Sequence, residues 1–256
     1  MACMTNHSPL LCHRMREVQI LQLNHLKSQN PINEAMRLAL CGALRQADAD
    51  SGVTAIVITG GPGRSFCAGG DFAEVSQFHS PQLVREWIDA VLELYISVLE
   101  CHKPVVIALD GYAIGMGLQL ALMGDWRVAG EDSRLSMWEL KAGVACTVGA
   151  CILRHCLGRL AATQIIYGCE MLSGADALKM HLVEDLVPTG EVLDRAIERA
   201  EQLASYPKIP FCVTKRSINA PFIEELRQNA QISAEAHISS FAAKSSDQHM
   251  RSVLKL

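Results

Sequence analysis

Residues 103–117 read KPVVIALDGYAIGMG. The apolar run at 105–109 has the pattern of a strand that is buried on both faces. The glycines after it mark a turn that leads into a helix rich in small residues. The chain repeats this arrangement about fifty residues earlier, where the strand-like VTAIVIT at 53–59 is followed by GGPGRSFCAGGDF at 60–72. Two buried strands, each ending in a glycine-rich segment, are therefore the centre of the predicted architecture.

Strand and helix patterns alternate outward from this centre. The predicted strands are 17–23, 53–59 and 105–109, with shorter ones at 126–130 and 134–140. The predicted helices are 33–49, 81–101, 147–157, 159–167, 190–205 and 221–245, with a short helix after the N-cap residue Ser173. This order predicts an α/β fold with a helical C-terminal region. The predicted boundary lies near residue 195, between a core at 1–195 and a helical part at 196–256.

Composition and charge exclude several classes of protein. Half of the 256 residues are hydrophobic and 20% are charged, as in a globular protein with a large core. The net charge of -4 gives no general attraction to nucleic acid or to an anionic membrane. No apolar run reaches the length of a transmembrane helix. We therefore expect no nucleic-acid partner and no membrane partner.

The ten cysteines are expected to be reduced thiols. None forms a CxxC pair, and no His/Cys cluster has zinc-finger spacing, so no metal site is predicted. Several lie in apolar runs, where a thiol acts as a small hydrophobic group. The N-terminal stretch lacks the pattern of a secretory signal peptide. These features favour a reducing compartment, and we expect a cytoplasmic protein.

The two glycine segments, 65–72 and 111–117, are the candidate chemical site. The second opens a helix, whose first N–H groups have no partner within the helix. If the two segments meet in space, two N–H groups can point at one oxygen and stabilise negative charge on it. The alternative is a pair of ordinary glycine turns in an α/β protein. Neither segment has the spacing of a phosphate-binding loop or a dinucleotide fingerprint.

Together with MWELKAG at 137–143, these segments resemble the signature of the crotonase (enoyl-CoA hydratase/isomerase) superfamily. The resemblance implies a spiral of ββα units whose C-terminal helices trimerise, as a homotrimer or a dimer of trimers. It implies a CoA thioester as substrate, with no separate cofactor and no metal. It also implies an oxyanion hole formed by the backbone N–H groups of Gly70 and Met116. Ala68 and Asp71 are predicted to contact the substrate.

The chain departs from the crotonase hydratases at one catalytic position. Those enzymes are similar to one another in carrying two catalytic glutamates. The first of these positions is Gln119 here, and an amide cannot act as a general base near neutral pH. The second matches Glu139, for which the alternative is a surface or salt-bridged glutamate. With one carboxylate, simple hydration is disfavoured, although Glu139 can still activate a water if burial raises its pKa.

Further strings resemble the carboxymethylproline synthases of carbapenem antibiotic biosynthesis. They include AGGDFAEV at 68–75, EWID at 86–89, and DGYAIGMGLQLALM at 110–123. The resemblance implies that malonyl-CoA loses CO2 and that the resulting enolate attacks pyrroline-5-carboxylate, which equilibrates with glutamate semialdehyde. Thioester hydrolysis would then release carboxymethylproline and CoA. Decarboxylation needs no base, so Glu139 would remain for hydrolysis, with Gln119 as a hydrogen-bond donor to substrate or water.

The same resemblance assigns roles to other residues. Trp87 would form a wall of the pocket, or would be ordinary core packing. His237 would help to bind the amino-acid carboxylate, or would be a surface or core histidine. Lys215 and Arg216 are candidates for the CoA phosphates, or belong to a solvated face.

Two other functions remain open from the sequence. One is a different crotonase-type isomerase, decarboxylase or hydrolase, which would share the fold and the oxyanion hole. The other is a non-catalytic relative that binds acyl-CoA or RNA or acts as a scaffold, and the presence of Glu139 disfavours it.

Overall fold

The structure is a computed structural model that describes residues 7–78 and 80–242. Its strands are β1 (Leu10–Met15), β2 (Val18–Leu23), β3 (Ala55–Thr59), β4 (Val105–Leu109), β5 (Tyr112–Ile114), β6 (Trp126–Gly130), β7 (Arg134–Ser136), β8 (Leu172–Ser173) and β9 (Asp185–Val187). A six-stranded sheet has the order β1-β2-β3-β4-β6-β9, and only its first pair is antiparallel. A three-stranded sheet has the order β5-β7-β8.

The helices cover both faces of the larger sheet. They are α1 (Glu34–Ala49), α2 (Phe72–Val75), α3 (Pro81–Leu99), α4 (Met116–Ala121), α5 (Thr147–Gly168), α6 (Gly174–Lys179), α7 (Val192–Ala204) and α8 (Lys208–Ala242). Alternate side chains of β3 and β4 point to opposite faces, as strand geometry requires. Ile56 and Ile107 enter the cluster that contains α1 and α3, whereas Val57 and Val106 enter the cluster that contains α7. The predicted α/β class is confirmed, and β3 and β4 are buried along their whole length.

Local capping confirms several predicted helix boundaries. The Asn33 side chain accepts a hydrogen bond from the Met36 N–H at 2.9 Å and caps α1. Ser173 caps α6 in a capping box with Asp176, as the sequence predicts for a serine at that position. Gly158, with φ 77° and ψ 168°, breaks α5 into two helical parts, in agreement with the predicted helices 147–157 and 159–167.

Three expectations about elements were wrong or incomplete. β1 was not predicted, because five of its six side chains are exposed and form no apolar pattern. The predicted strand 134–140 ends at Ser136. The last helix begins at Lys208 rather than at 221, and Pro221 lies inside it. Prolines favour helix starts and disfavour helix interiors, so the sequence pattern placed the start at the wrong proline. Residues 243–245 of that prediction lie outside the described residues.

The predicted boundary between 1–195 and 196–256 falls inside α7. Val192, Ala196 and Ala200 of this helix are buried in one cluster with side chains of β2, β3 and β4. The chain therefore has no structural break at residue 195, and α7 belongs to the sheet-containing part. Helix α8, which follows, packs instead on α3 and α5. Within the described residues, every helix is too short or too polar to cross a lipid bilayer.

Candidate active site

The two glycine segments meet directly beyond the ends of β3 and β4. The Cys67 N–H donates to the Tyr112 carbonyl at 2.9 Å, and the Ile114 N–H donates to the Cys67 carbonyl at 3.0 Å. A Cβ at Gly117 would lie 2.1 Å from the Cys67 carbonyl oxygen, far inside van der Waals contact. Glycine at this position is therefore a condition for the two segments to pack against each other.

Two backbone N–H groups near this contact have no acceptor. In the part of the chain that the structure describes, neither Gly70 nor Met116 donates its N–H to a protein atom. Met116 is the first residue of α4, and Gly115 precedes it with φ 52°. The Met116 Sδ lies 3.0 Å from the place that a Cβ of Gly70 would occupy. The two predicted oxyanion-hole residues are thus neighbours with free donors, and their catalytic role stays a prediction.

A cavity of about 260 Å³ opens beside these residues. Its wall is largely apolar, with Val75, Val91 and Val148 among the lining side chains. Seven of the eight predicted site residues also line it: Ala68, Gly70, Trp87, Met116, Gln119, Glu139 and His237. The structure therefore brings together in one cavity residues that are up to 169 positions apart in the sequence.

A chain of hydrogen bonds runs from the core to the carboxylate of Glu139. The Tyr95 hydroxyl donates to Gln119 Oε1 at 2.9 Å, and Gln119 Nε2 donates to Glu139 Oε1 at 2.8 Å. Tyr95 and Gln119 are both buried. Glu139 Oε2 is inaccessible to solvent and has no hydrogen-bond partner among the described residues. One carboxylate oxygen is therefore held by the Gln119 amide, and the other is buried in the cavity wall.

The Glu139 carboxyl has the acidity of a general acid or base near neutral pH. Desolvation by burial raises its pKa to about 7, against the lowering effects of a backbone N–H, the Gln119 amide and the Cys146 thiol. A carboxyl with this pKa exchanges a proton readily at pH 7, where an ordinary glutamate stays ionised.

Aromatic rings from α3 and α8 form part of the cavity wall. Trp87 of α3 and His237 of α8 meet edge to face, with ring centroids 5.8 Å apart. Phe78 and Phe241 complete the cluster, with centroids 5.6 Å and 6.4 Å from that of Trp87. Trp87 thus lines the cavity and also packs on neighbouring rings. Both predicted roles, a wall of the pocket and ordinary packing, therefore describe part of its surroundings.

His237 is held in one tautomer by a backbone carbonyl. Its Nδ1 lies 2.7 Å from the Ser233 carbonyl oxygen, which can only accept, so Nδ1 carries the proton. Desolvation lowers the pKa of the buried ring, which favours the neutral form with a lone pair at Nε2. A neutral His237 accepts a hydrogen bond at Nε2, and it must gain a second proton before it can donate to a carboxylate.

A model of the enoyl-CoA hydratase/isomerase family matches residues 14–254, nearly the whole chain. The chain belongs to this family. It is 42% identical over 238 residues to carboxymethylproline synthase of Pectobacterium carotovorum subsp. carotovorum, which covers 93% of this chain and 95% of that protein. It is 28% identical to 2,3-dehydroadipyl-CoA hydratase of Escherichia coli K12, over 94% of this chain and 93% of that protein.

Solved structures confirm the crotonase fold that the sequence predicted. The structure of ThnE from S. clavuligerus superposes with a TM-score of 0.77 at 31% identity and covers 89% of this chain and 100% of that one. An enoyl-CoA hydratase/isomerase from Mycobacterium paratuberculosis superposes with a TM-score of 0.85, over 97% and 98% of the two chains. The chain is thus an enzyme-family member whose implied substrate is an acyl-CoA, and trimerisation of its C-terminal helices stays a prediction.

Asp71 is the predicted site residue that the crotonase fold places outside the cavity lining. Its carboxylate accepts from the Ala73 N–H at 3.2 Å and caps α2. The same carboxylate lies 3.4 Å from Lys27 Nζ and 3.6 Å from His25 Nε2. Asp71 therefore caps α2 and lies outside the cavity lining, and its predicted contact with the substrate stays a prediction.

Lys215 is likewise not a free cation for the CoA phosphates. It is buried, and its Nζ donates to Asp125 Oδ2 at 2.6 Å and to the Lys103 carbonyl at 2.9 Å. The ammonium is therefore already paired inside the protein. Arg216 is exposed and lines a separate surface groove with Arg227, and a role for it in CoA binding stays a prediction.

The sequence did not lead us to predict two residues at or next to the cavity. Tyr95 contacts Gln119 from α3, and Cys146 lies near Glu139 and lines the cavity. Helical spacing carried a signal for the first, because Trp87, Val91 and Tyr95 follow at intervals of four on one face of α3.

No group of His, Cys, Asp and Glu side chains in the described residues is arranged to hold a metal ion.

Proposed function

We propose that this chain is a carboxymethylproline synthase: it joins the enolate of malonyl-CoA decarboxylation to pyrroline-5-carboxylate and then hydrolyses the thioester. The observation that carries the proposal is the pair formed by Gln119 and Glu139. Among the described residues that line the cavity, Glu139 is the one carboxylate, and an amide holds it. This arrangement suits a reaction with one base-dependent step. The 42% identity to a carboxymethylproline synthase supports the same assignment.

The first step requires stabilisation of an enolate rather than removal of a proton. When the C–C bond of the malonyl group breaks, its electrons move onto the thioester and CO2 leaves. The developing negative charge on the thioester oxygen would be met by the N–H groups of Gly70 and Met116, both of which lack a protein acceptor. Preorganised donors of this kind contribute about 3 kcal/mol each to transition-state stabilisation. The apolar lining would also exclude water, which would otherwise protonate the enolate.

The second step forms a C–C bond at the aromatic wall. The enolate carbon attacks C5 of the protonated imine, and the C=N π electrons become the lone pair of the neutral ring amine. Trp87 would confine the five-membered ring against the thioester. The substrate carboxylate would favour a proton on His237 Nε2, because a neighbouring anion stabilises the imidazolium. That ring would then donate to the carboxylate while Nδ1 stays bonded to the Ser233 carbonyl.

The third step uses Glu139 as a general base. The Glu139 carboxylate would take a proton from water, whose oxygen attacks the thioester carbonyl, and the collapse of the tetrahedral intermediate would release CoA. A carboxyl with a pKa of about 7 can accept this proton at neutral pH and return it to the leaving thiolate. The N–H groups of Gly70 and Met116 would stabilise the second oxyanion as they did the first.

The test is product analysis by mass spectrometry after incubation with malonyl-CoA and glutamate semialdehyde. We expect the wild type to form carboxymethylproline and free CoA. Glu139→Gln should keep decarboxylation and C–C bond formation but lose at least about 100-fold in hydrolysis, so that carboxymethylprolyl-CoA accumulates. The exposed Glu131→Gln serves as the matched control and should behave as the wild type. Acetyl-CoA as the sole product would indicate a decarboxylase, and folded protein that consumes no malonyl-CoA would overturn the assignment.

A further inference from the structure

The buried hydroxyl of Tyr95 constrains the orientation of the Gln119 amide. Tyr95 is fully buried on α3, and its hydroxyl forms a 2.9 Å hydrogen bond with Gln119 Oε1. Burial raises the pKa of this phenol well above its usual value, so it keeps its proton. Among the described residues, the hydroxyl has no other hydrogen-bond partner.

The oxygen end of the Gln119 amide faces the Tyr95 hydroxyl, and the nitrogen end faces Glu139 Oε1 and, at 3.7 Å, the Met137 sulfur. An ionised Glu139 can only accept, so it requires the amide N–H2 group. If the amide rotated by half a turn, its oxygen would face the carboxylate and its N–H2 would face Tyr95. The phenolic proton would then be buried without an acceptor, which is costly in a protein interior. The observed orientation satisfies the phenol, the amide and the carboxylate together.

We propose that Tyr95 is a positioning residue that locks the Gln119 amide with its N–H2 group toward Glu139 and thereby keeps Glu139 available as a base. The proposal rests on the proposed function for the step that needs this base, but the orientation itself does not depend on the substrate. The remaining titratable groups in the cavity with Glu139 are the Cys146 thiol on the segment before α5 and the His237 ring of α8. The described lining contains no lysine, arginine or aspartate that could replace the effect of the amide.

Replacement of Tyr95 by Phe removes the hydroxyl and leaves the ring in the core. The amide then loses the contact that fixes its orientation, and the carboxylate loses a persistent donor. We expect the pKa of Glu139 to rise by about one unit, the size of one hydrogen bond to a charged group. Hydrolysis should be roughly fivefold slower at pH 7, where less of the carboxyl is ionised, and nearly unchanged at pH 9.

The experiment is an infrared titration of the Glu139 carboxyl, obtained as the difference between each protein and the same protein carrying Glu139→Gln. This measurement needs no substrate, so it remains decisive even if the chain forms no carboxymethylproline. The matched control is Val98→Ala on the same helix, which removes buried volume without a hydrogen bond. We expect a midpoint about one unit higher in Tyr95→Phe and an unchanged midpoint in Val98→Ala.

An unchanged midpoint in folded Tyr95→Phe would overturn the positioning role. So would a loss of hydrolysis that is the same at every pH, since that result indicates disturbed packing. If Tyr95→Phe does not fold, 3-fluorotyrosine at position 95 keeps the shape and strengthens the donor, and the midpoint should then move downward. A shifted midpoint in a protein that makes no carboxymethylproline would support the positioning role and reject the proposed function.

Discussion

The rings of Trp87 and His237 meet edge to face, with centroids 5.8 Å apart, although they lie on helices separated by most of the chain. This contact joins α3 to α8 in the wall of the cavity that Gln119 and Glu139 also line. The shape of the cavity at these two rings therefore depends on how the last helix packs on α3.

His237→Phe should keep this ring contact while removing both ring nitrogens. On the proposed reaction, we expect the KM for pyrroline-5-carboxylate to rise about tenfold. This factor corresponds to the loss of one hydrogen bond of about 1.4 kcal/mol. Malonyl-CoA decarboxylation without acceptor should be unchanged. Steady-state kinetics with each substrate varied would measure both effects. His155→Phe, on a ring stacked on Phe222 away from the cavity, is the control and should alter neither constant.

Glu139 should lower the stability of the protein as the pH rises. Its pKa is about 7 in the folded state, so between about pH 4.5 and 7 the folded protein keeps a proton that the unfolded chain has lost. The free energy of unfolding therefore falls across this window and stays low above it. The cost reaches at most about 3–4 kcal/mol, since each pKa unit corresponds to about 1.4 kcal/mol.

Glu139→Gln removes this titration, so its stability relative to the wild type should rise from pH 5 to pH 8. Urea unfolding at the two pH values would measure the difference. The exposed Glu131→Gln should show no such gain, and an equal pH dependence in wild type and Glu139→Gln would contradict the raised pKa.

Gly117→Ala should disrupt the contact between the two glycine segments. The added Cβ would meet the Cys67 carbonyl oxygen at 2.1 Å, and a backbone atom cannot move aside as a flexible side chain can. We expect a loss of about 3 kcal/mol or more in the free energy of unfolding, together with loss of activity.

Gly42→Ala is the matched control for that substitution. Gly42 lies inside α1, and no atom lies within 4 Å of its would-be Cβ. Alanine should therefore stabilise the protein by up to about 1 kcal/mol through its higher helix propensity. Similar stability changes for the two alanines, measured by urea unfolding, would show that the close approach at Gly117 does not constrain the fold.

Lys215→Met should destabilise the protein by about 3–5 kcal/mol, because the Asp125 carboxylate would lose its buried partner. Thermal and urea unfolding would measure the effect. The neighbouring Arg216→Met changes an exposed side chain and should stay within about 0.5 kcal/mol of the wild type. If both variants were equally stable, Lys215 would not be the internal anchor that the structure shows.

The sequence allowed the sheet and the cavity lining to be predicted because both depend on strong local patterns. Continuous apolar runs identify β3 and β4, and glycines at fixed places identify the segments after them. Gly70, Met116, Gln119 and Glu139 were then assigned from the resemblance of these segments and of residues 137–143 to the crotonase signature. The glycines in these segments are required by the backbone conformation, so the sequence pattern shows directly where the segments lie.

Side-chain partners were harder to predict, because several partners compete for the same polar group. Asp71 lies next to Gly70, yet the first turn of α2 engages its carboxylate. Lys215 looks like a surface cation in the sequence, but it is buried against Asp125. The contact between Tyr95 and Gln119 joins positions 24 residues apart, and nothing in either local pattern specifies it.

Lys215, which pairs with Asp125, lies on the same helix as His237, about six helical turns before it. Helix α8 is thus held by an ion pair near its N-terminal end and lines the cavity near its C-terminal end. A small change of tilt at the anchor would move the His237 ring relative to Trp87 without altering any lining residue. Directed evolution for new acceptors should therefore sample positions around Asp125 and Lys215 as well as the cavity wall, because useful variation in pocket depth can arise there.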